Sequence, residues 1–176
     1  MRLGRGLKMD EHKKEQNRAS VKMYQPLIVV VFVVFLSSMA LRLDGMPWQL
    51  DSWMHDFMGL FLVVFSMFKL FDISGFAEGF SMYDILASRF KAYGLAYPFI
   101  ELFLGLAYLG RLFPAATYVL TAVIMIFGGI GVIRSVAKGL DVRCACLGTV
   151  FKVPLSSVAI VEDLGMAAMS LIMLFV

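Results

Sequence analysis

Cysteine and charge are both scarce in this chain, and each scarcity excludes something. Only two of the 176 residues are cysteine. Cys144 and Cys146 are separated by a single residue, so no disulfide framework can be built and the pair reads as a local site. Charged residues make up 16% of the chain, against about a quarter in an average soluble domain. Hydrophobic residues make up 60%, and the mean hydropathy is +0.82. A soluble domain of this size would need many more polar side chains to cover its surface. Water is therefore excluded as the only solvent, and lipid is the partner that the composition demands. The net charge of +3 gives no argument for nucleic acid, and none is expected as a partner. Phosphate loops, nucleophile triads and zinc-protease motifs are all missing.

What is present is a succession of apolar runs. Residues 1–25 form a polar tail of mixed charge, read as solvated. Pro26 opens an apolar stretch reaching Leu41, and proline suits a first helical turn because its missing N–H has no partner there. Residues 26–43 are expected to form an additional transmembrane helix. The competing reading is a signal sequence with Ser38-Met39-Ala40 as a small-residue cleavage site, but its basic region would be unusually long. Trp48 and Trp53 suit an interfacial belt. Further spans are predicted from Trp53 to Phe71, Tyr97 to Leu112, Ala115 to Ile133 and Val158 to Val176. Each is close to the roughly 17–25 residues that cross the hydrocarbon layer, and spans without water must be helical here. Between the second and third spans, Phe76, Phe80, Tyr83 and Leu86 recur at helical spacing among charges. That pattern predicts an interfacial amphipathic helix within residues 73–96.

Five crossings put the tail, residues 72–96 and the cysteine loop on one side. Seven of the Lys and Arg residues lie in the tail, three more are Lys69, Arg89 and Lys91, and four (Arg134, Lys138, Arg143, Lys152) lie in the loop. Only Arg42 and Arg111 remain opposite. The positive-inside rule then predicts a multi-pass protein of the inner (plasma) membrane, with its N-terminus and Cys-Ala-Cys loop in the cytoplasm.

Two thiols at i and i+2 support two chemistries. They can close a small, strained and readily reduced disulfide ring, or as thiolates they can hold Cu, Hg or Zn with another ligand. Arg143 and Lys138 favour the thiolate in either case. Glu101 shares a helical face with Tyr97, Gly105 and Tyr108. A carboxylate inside a span is costly unless it faces protein or water, so Glu101 is a candidate intramembrane acid; the plainer reading is an anchor to Tyr, Arg or Ser on a neighbouring helix. Glu162, Met166, Met169 and Met173 form a stripe that reads first as packing and second as a soft-metal route. Lys69 and Asp72 are spaced to pair at a helix end. His55 and Asp56 read as a headgroup-level polar cluster. Gly128, Gly129 and Gly131 allow close helix approach.

The run Lys69-Leu70-Phe71-Asp72, then Gly75-Phe76, Tyr83-Asp84, Tyr97-Pro98-Phe99 with Glu101 and Gly105, and Cys144-Ala145-Cys146-Leu147-Gly148 resembles the MauE/DoxX-like family of redox-associated membrane proteins. The resemblance covers about residues 55 to 176. It implies a four-helix transmembrane core, expected over 53–176, with the first helix as an addition. The family's best-known branch matures methylamine dehydrogenase beside a thioredoxin-like partner. By that resemblance Cys144 and Cys146 are the matching redox thiols and Glu101 the matching acid, in an accessory rather than a stand-alone enzyme. The predicted cytoplasmic thiols depart from a job on a secreted dehydrogenase.

The expected fold is thus an all-α membrane protein with a four-helix bundle core, an N-terminal helix and an interfacial amphipathic helix. The leading function is thiol/disulfide redox or maturation of a partner, with the bilayer and a thioredoxin-like protein as partners and no cofactor. The alternative is soft-metal (Cu, Hg or Zn) handling through the same cysteines, with a metallochaperone as partner. A structural membrane subunit is the third reading.

Overall fold

The computed structural model describes residues 25, 27–43, 49–138 and 155–175. The tail, residues 44–48 and the segment carrying Cys144 and Cys146 lie outside them. Among the described residues the regular structure is all helix: α1 (Leu27–Ala40), α2 (Leu50–Phe71), α3 (Ile73–Ser81), α4 (Lys91–Leu109), α5 (Pro114–Ala137) and α6 (Leu155–Phe175). Helices α2, α4 and α5 are long and apolar enough to cross a membrane. At a rise of about 1.5 Å per residue, the 24 residues of α5 extend about 36 Å, slightly more than the hydrocarbon layer.

The solvent logic of a water-soluble fold is reversed. Phe99, Phe103 and Leu106 on α4 and Leu120, Val123 and Phe127 on α5 are exposed, while His55, Ser66, Lys69, Glu101, Thr121 and Ser170 are buried. Large apolar side chains outside and charge inside is stable only when the surroundings are lipid. This is an all-α membrane protein.

The densest pairings are α2 with α4 and α5 with α6. Glycine lets the first pair close. A Cβ on Gly105 would lie 2.9 Å from the backbone nitrogen of Val63, and one on Gly59 would lie 3.0 Å from the carbonyl oxygen of Gly105. Further toward the C-terminus of α2 and the N-terminus of α4, Lys69 meets Glu101, so α2 and α4 run antiparallel. A tight hairpin at 110–113 reverses α4 into α5; Arg111 and Phe113 adopt left-handed φ values of 51° and 44° there. Pro114 follows at the first helical turn, where its fixed φ is suited to helix initiation. Tyr108 and Ser170 meet across α4 and α6, while Glu162 and Asp163 share a small cavity with Tyr97. Helix α6 is therefore parallel to α4, and the four long helices alternate in direction. The glycines singled out in α5 pack as expected: Gly128 and Gly129 lie against Asp163.

Helix boundaries sharpen the expectations by a few residues. The predicted amphipathic stretch resolves into α3, a turn-rich segment over 82–90 and the start of α4. Its aromatic period is real, but the Phe76–Phe80–Tyr83 face is buried against α4, where Phe80 and Tyr97 approach to 4.6 Å between ring centres. Helix α3 starts on Asp72, whose Oδ1 accepts the Gly75 N–H at 2.9 Å, an N-cap arrangement. Helix α1 packs by Phe35 on Trp53 and Phe57 of α2, and Ser38 is fully buried.

Candidate functional site

Two polar centres lie inside the bundle, at opposite ends. The first is built on Lys69, in the last turn of α2, and Glu101, midway along α4. They are only 3% and 2% exposed. The Lys69 ammonium donates to both carboxylate oxygens of Glu101, at 2.6 and 2.5 Å. It also lies 5.3 Å from the ring centre of Tyr97 and 5.7 Å from that of Phe76, so aromatic faces share the positive charge. Glu162 and Asp163 of α6 approach from the other side: with Lys69, Phe76, Tyr83 and Tyr97 they line a small cavity of about 10 Å³. Glu101 thus has a charged partner on α2, where the sequence pointed to Tyr, Arg or Ser. Lys69 meets it across the α2–α4 contact, and Asp72 caps α3.

This arrangement follows from the cost of charge in lipid. An isolated ammonium or carboxylate in a span is strongly unfavourable, and a bidentate pair satisfies both groups. The face Tyr97, Glu101, Gly105 and Tyr108, inferred from spacing, is buried along its length. Its glycine provides the close α2 approach, its acid the ion pair, and its two tyrosines border the two polar centres. Beside this centre, in the 82–90 segment, Asp84 closes its own turn by accepting the N–H groups of Leu86 and Ala87 at 2.8 and 2.7 Å. Burial pushes the Asp84 carboxyl above its ordinary range, against the opposing effect of those two backbone bonds.

The second centre is at the hairpin end. His55 Nδ1 is 2.9 Å from the Asp51 carbonyl oxygen; a carbonyl cannot donate, so this nitrogen carries the proton. In the neutral ring Nε2 is then an acceptor, and the Tyr118 hydroxyl donates to it at 2.6 Å. Tyr118 stacks on Tyr108 at 5.8 Å. The Ser170 hydroxyl donates to the Met166 carbonyl at 2.8 Å, so in the 3.2 Å contact between them the Tyr108 hydroxyl is the donor. Asp56 turns away from this chain toward α1: Arg42 holds its Oδ2 through Nε at 2.6 Å and also through Nη2. The expected polar cluster around His55 and Asp56 is thus two separate contacts, one tying α2 to α5 and one tying α2 to the residues after α1. Only tertiary structure could reveal the tyrosine partners, which lie more than sixty residues away in sequence.

Of the metal candidates, Met166 and Met173 are buried in the apolar core. Among the described residues no group of three His, Cys, Asp or Glu side chains is placed to hold a metal ion. Cys144 and Cys146 lie outside the described residues, in the part of the sequence between α5 and α6.

No curated protein and no solved structure matches the chain. One family model does, the methylamine utilisation protein MauE, over residues 48–176. That range contains α2 to α6, both polar centres and the two cysteines, and it begins after α1. With most of its length matched, the chain belongs to the MauE family of methylamine utilisation proteins.

Proposed function

We propose that this protein is a thiol–disulfide redox accessory of the inner membrane that acts in the maturation of a partner, with Cys144 and Cys146 as its redox couple. The observation that carries the reading is the placement of the chain's only two cysteines. They stand at i and i+2 within the family-matched range, in the segment joining α5 to α6. The exchange balances without a cofactor. One thiolate attacks a partner disulfide to give a mixed disulfide and release a partner thiolate. The second cysteine then displaces the remaining partner sulfur. The Cys144–Cys146 ring closes as the partner gains two electrons and two protons. A thioredoxin-like protein fits as the exchange partner. The charge distribution supports a cytoplasmic N-terminus and cytoplasmic thiols. In this reading Glu101 is the intramembrane acid, paired with Lys69.

The soft-metal alternative uses the same sulfurs as thiolate ligands for Cu, Hg or Zn. It is the weaker reading, because the methionines that would extend a metal route are packed in the core.

The experiment is alkylation trapping of the purified protein across a series of glutathione redox buffers, with bound metal assayed in parallel. A reversible two-electron couple abolished by Cys144→Ser and by Cys146→Ser is expected. Stoichiometric Cu, Hg or Zn lost in those variants would replace the redox reading with the metal one. Unchanged function in the host for both variants would sink both.

A further inference from the structure

The 82–90 segment folds back over the last two turns of α5. Gly131 makes the contact close: a Cβ there would lie 2.8 Å from the Tyr83 carbonyl oxygen and 3.3 Å from the Asp84 Cα. Three, four and seven residues further along the same helical face come Arg134, Ser135 and Lys138. Here the surfaces part and leave a cavity of about 500 Å³ between them and Tyr83, Asp84 and Ser88. Met82 and Ile85 complete the wall, and both are exposed.

The lining is chemically lopsided. Among the described residues Arg134 and Lys138 make no ion pair. Asp84, the one acid in the wall, is 3% exposed and spends Oδ1 on two backbone N–H groups. Ser88 gives its hydroxyl proton to the Ile85 carbonyl. Ser135 is buried in the cavity wall, and no partner for its hydroxyl occurs among the described residues. Two cations and a hydroxyl therefore face an open space, with no anion paired to them among the described residues. The cleft's depth is also informative. Because α5 is longer than the hydrocarbon layer, its final turn reaches the headgroup region. Next to the cations, Ile130, Ile133 and Val136 on α5 are exposed to lipid.

We propose that this cleft seats the phosphate headgroup of an anionic phospholipid. Arg134 and Lys138 hold the phosphate oxygens, with Ser135 as an added donor. The acyl chains descend along Met82, Ile85 and Ile133. A lipid is selected over a soluble anion because cations and lipid-facing apolar side chains form one continuous surface, which matches a molecule with both parts. Bound there, the lipid would pin the 82–90 segment to α5. The inference is independent of the thiol reading.

The test compares full-length protein in detergent titrated with phosphatidylglycerol, phosphatidylcholine or inorganic phosphate, read by native mass spectrometry and by the thermal midpoint. Phosphatidylglycerol is expected to be retained at least about tenfold better than phosphatidylcholine, a difference on the scale of about 1.4 kcal/mol. The double variant Arg134→Gln/Lys138→Gln is expected to lose that preference. The control Arg89→Gln/Lys91→Gln, at the same end of the bundle but outside the cleft, is expected to keep it. The charge-preserving exchange Arg134→Lys/Lys138→Arg guards against a folding defect and is expected to retain most of the binding. Equal retention of the two lipids overturns the proposal, as does an equal loss in the control variant. A shift in midpoint with inorganic phosphate as large as with phosphatidylglycerol also overturns it, because a headgroup without a lipid would then suffice.

Discussion

Breaking the Lys69–Glu101 pair on one side is expected to destabilise the bundle more than replacing both partners. The ammonium sits 2.5–2.6 Å from both carboxylate oxygens, with both residues almost fully buried. At an effective dielectric of about 20, charges at this separation attract by about 6 kcal/mol. Taking the two ions out of water costs several kcal/mol each, so the intact pair contributes little net stability. Removing one partner forfeits the attraction and strands the other charge. Glu101→Gln and Lys69→Met are each expected to cost about 3–5 kcal/mol. The combination Lys69→Met/Glu101→Leu is expected to recover most of that loss, with a coupling above about 2 kcal/mol. Denaturant unfolding in detergent, followed by tryptophan fluorescence, measures all of these variants. Single losses below about 1 kcal/mol that simply add would show that water reaches the pair, and would refute the claim that it is desolvated. The same variants separate architecture from chemistry. If the apolar double variant is stable yet fails to support partner maturation, the pair has a role beyond packing.

Four further outcomes follow from particular contacts. Gly131→Ala is expected to cost about 1–3 kcal/mol, because its Cβ meets the Tyr83 backbone rather than a movable side chain; Gly165→Ala, with nothing within 4 Å, is the control and should leave the unfolding midpoint unchanged or slightly raised. Tyr118→Phe leaves His55 Nε2 buried without its donor, and a loss of about 1–3 kcal/mol is expected in the same unfolding assay. For Asp84 the native carboxyl holds its proton more tightly than the unfolded chain does. Its contribution to stability is therefore fully present below the ordinary aspartate value of about 4 and is lost as pH rises through the elevated native value. Asp84→Asn keeps an oxygen for the Leu86 and Ala87 N–H groups, so it should flatten that part of the pH–stability curve; an unchanged curve would refute the assignment. Phe113→Gly relieves a left-handed φ of 44° at an exposed hairpin position, and a gain of up to about 1 kcal/mol is expected.

The spans were legible because a transmembrane helix is a one-dimensional signal: a long apolar run with charges at its ends. Leu50–Phe71 and Pro114–Ala137 lie within a few residues of the runs read from sequence. Periodicity also identified the buried face of α4, since Tyr97, Glu101, Gly105 and Tyr108 fall one turn apart. The partners across the bundle did not emerge from spacing. Lys69 and Glu101 are 32 residues apart, beyond the reach of local spacing. The stretch over 73–96 shows the same limit. Its aromatic period was visible, but the break at Ser81 depends on Asp84 capping a turn through a side chain and two backbone N–H groups. Helix periodicity does not encode that break.

The two polar centres bear differently on the thiol reading. The hairpin-end network is closed in one direction: Tyr118 donates to His55, His55 to the Asp51 carbonyl, Tyr108 to Ser170 and Ser170 to the Met166 carbonyl. Each donor is committed, as expected of bonds that dock α2, α4, α5 and α6 together. The Lys69–Glu101 centre differs in kind. It is an ammonium–carboxylate pair, which can pass to amine and acid without changing its proton count. Carboxylates of α6 stand beside it, and it lies at the end of the bundle where α5 ends and α6 begins. Thiol–disulfide exchange moves protons along with electrons, and in the proposed reading the buried Lys69–Glu101 pair is the centre that would answer to it. If Cys144 and Cys146 act as proposed, with Glu101 as the acid, substitutions at Lys69 or Glu101 should alter the pH dependence of Cys144 and Cys146 alkylation, whereas Tyr118→Phe should alter stability alone.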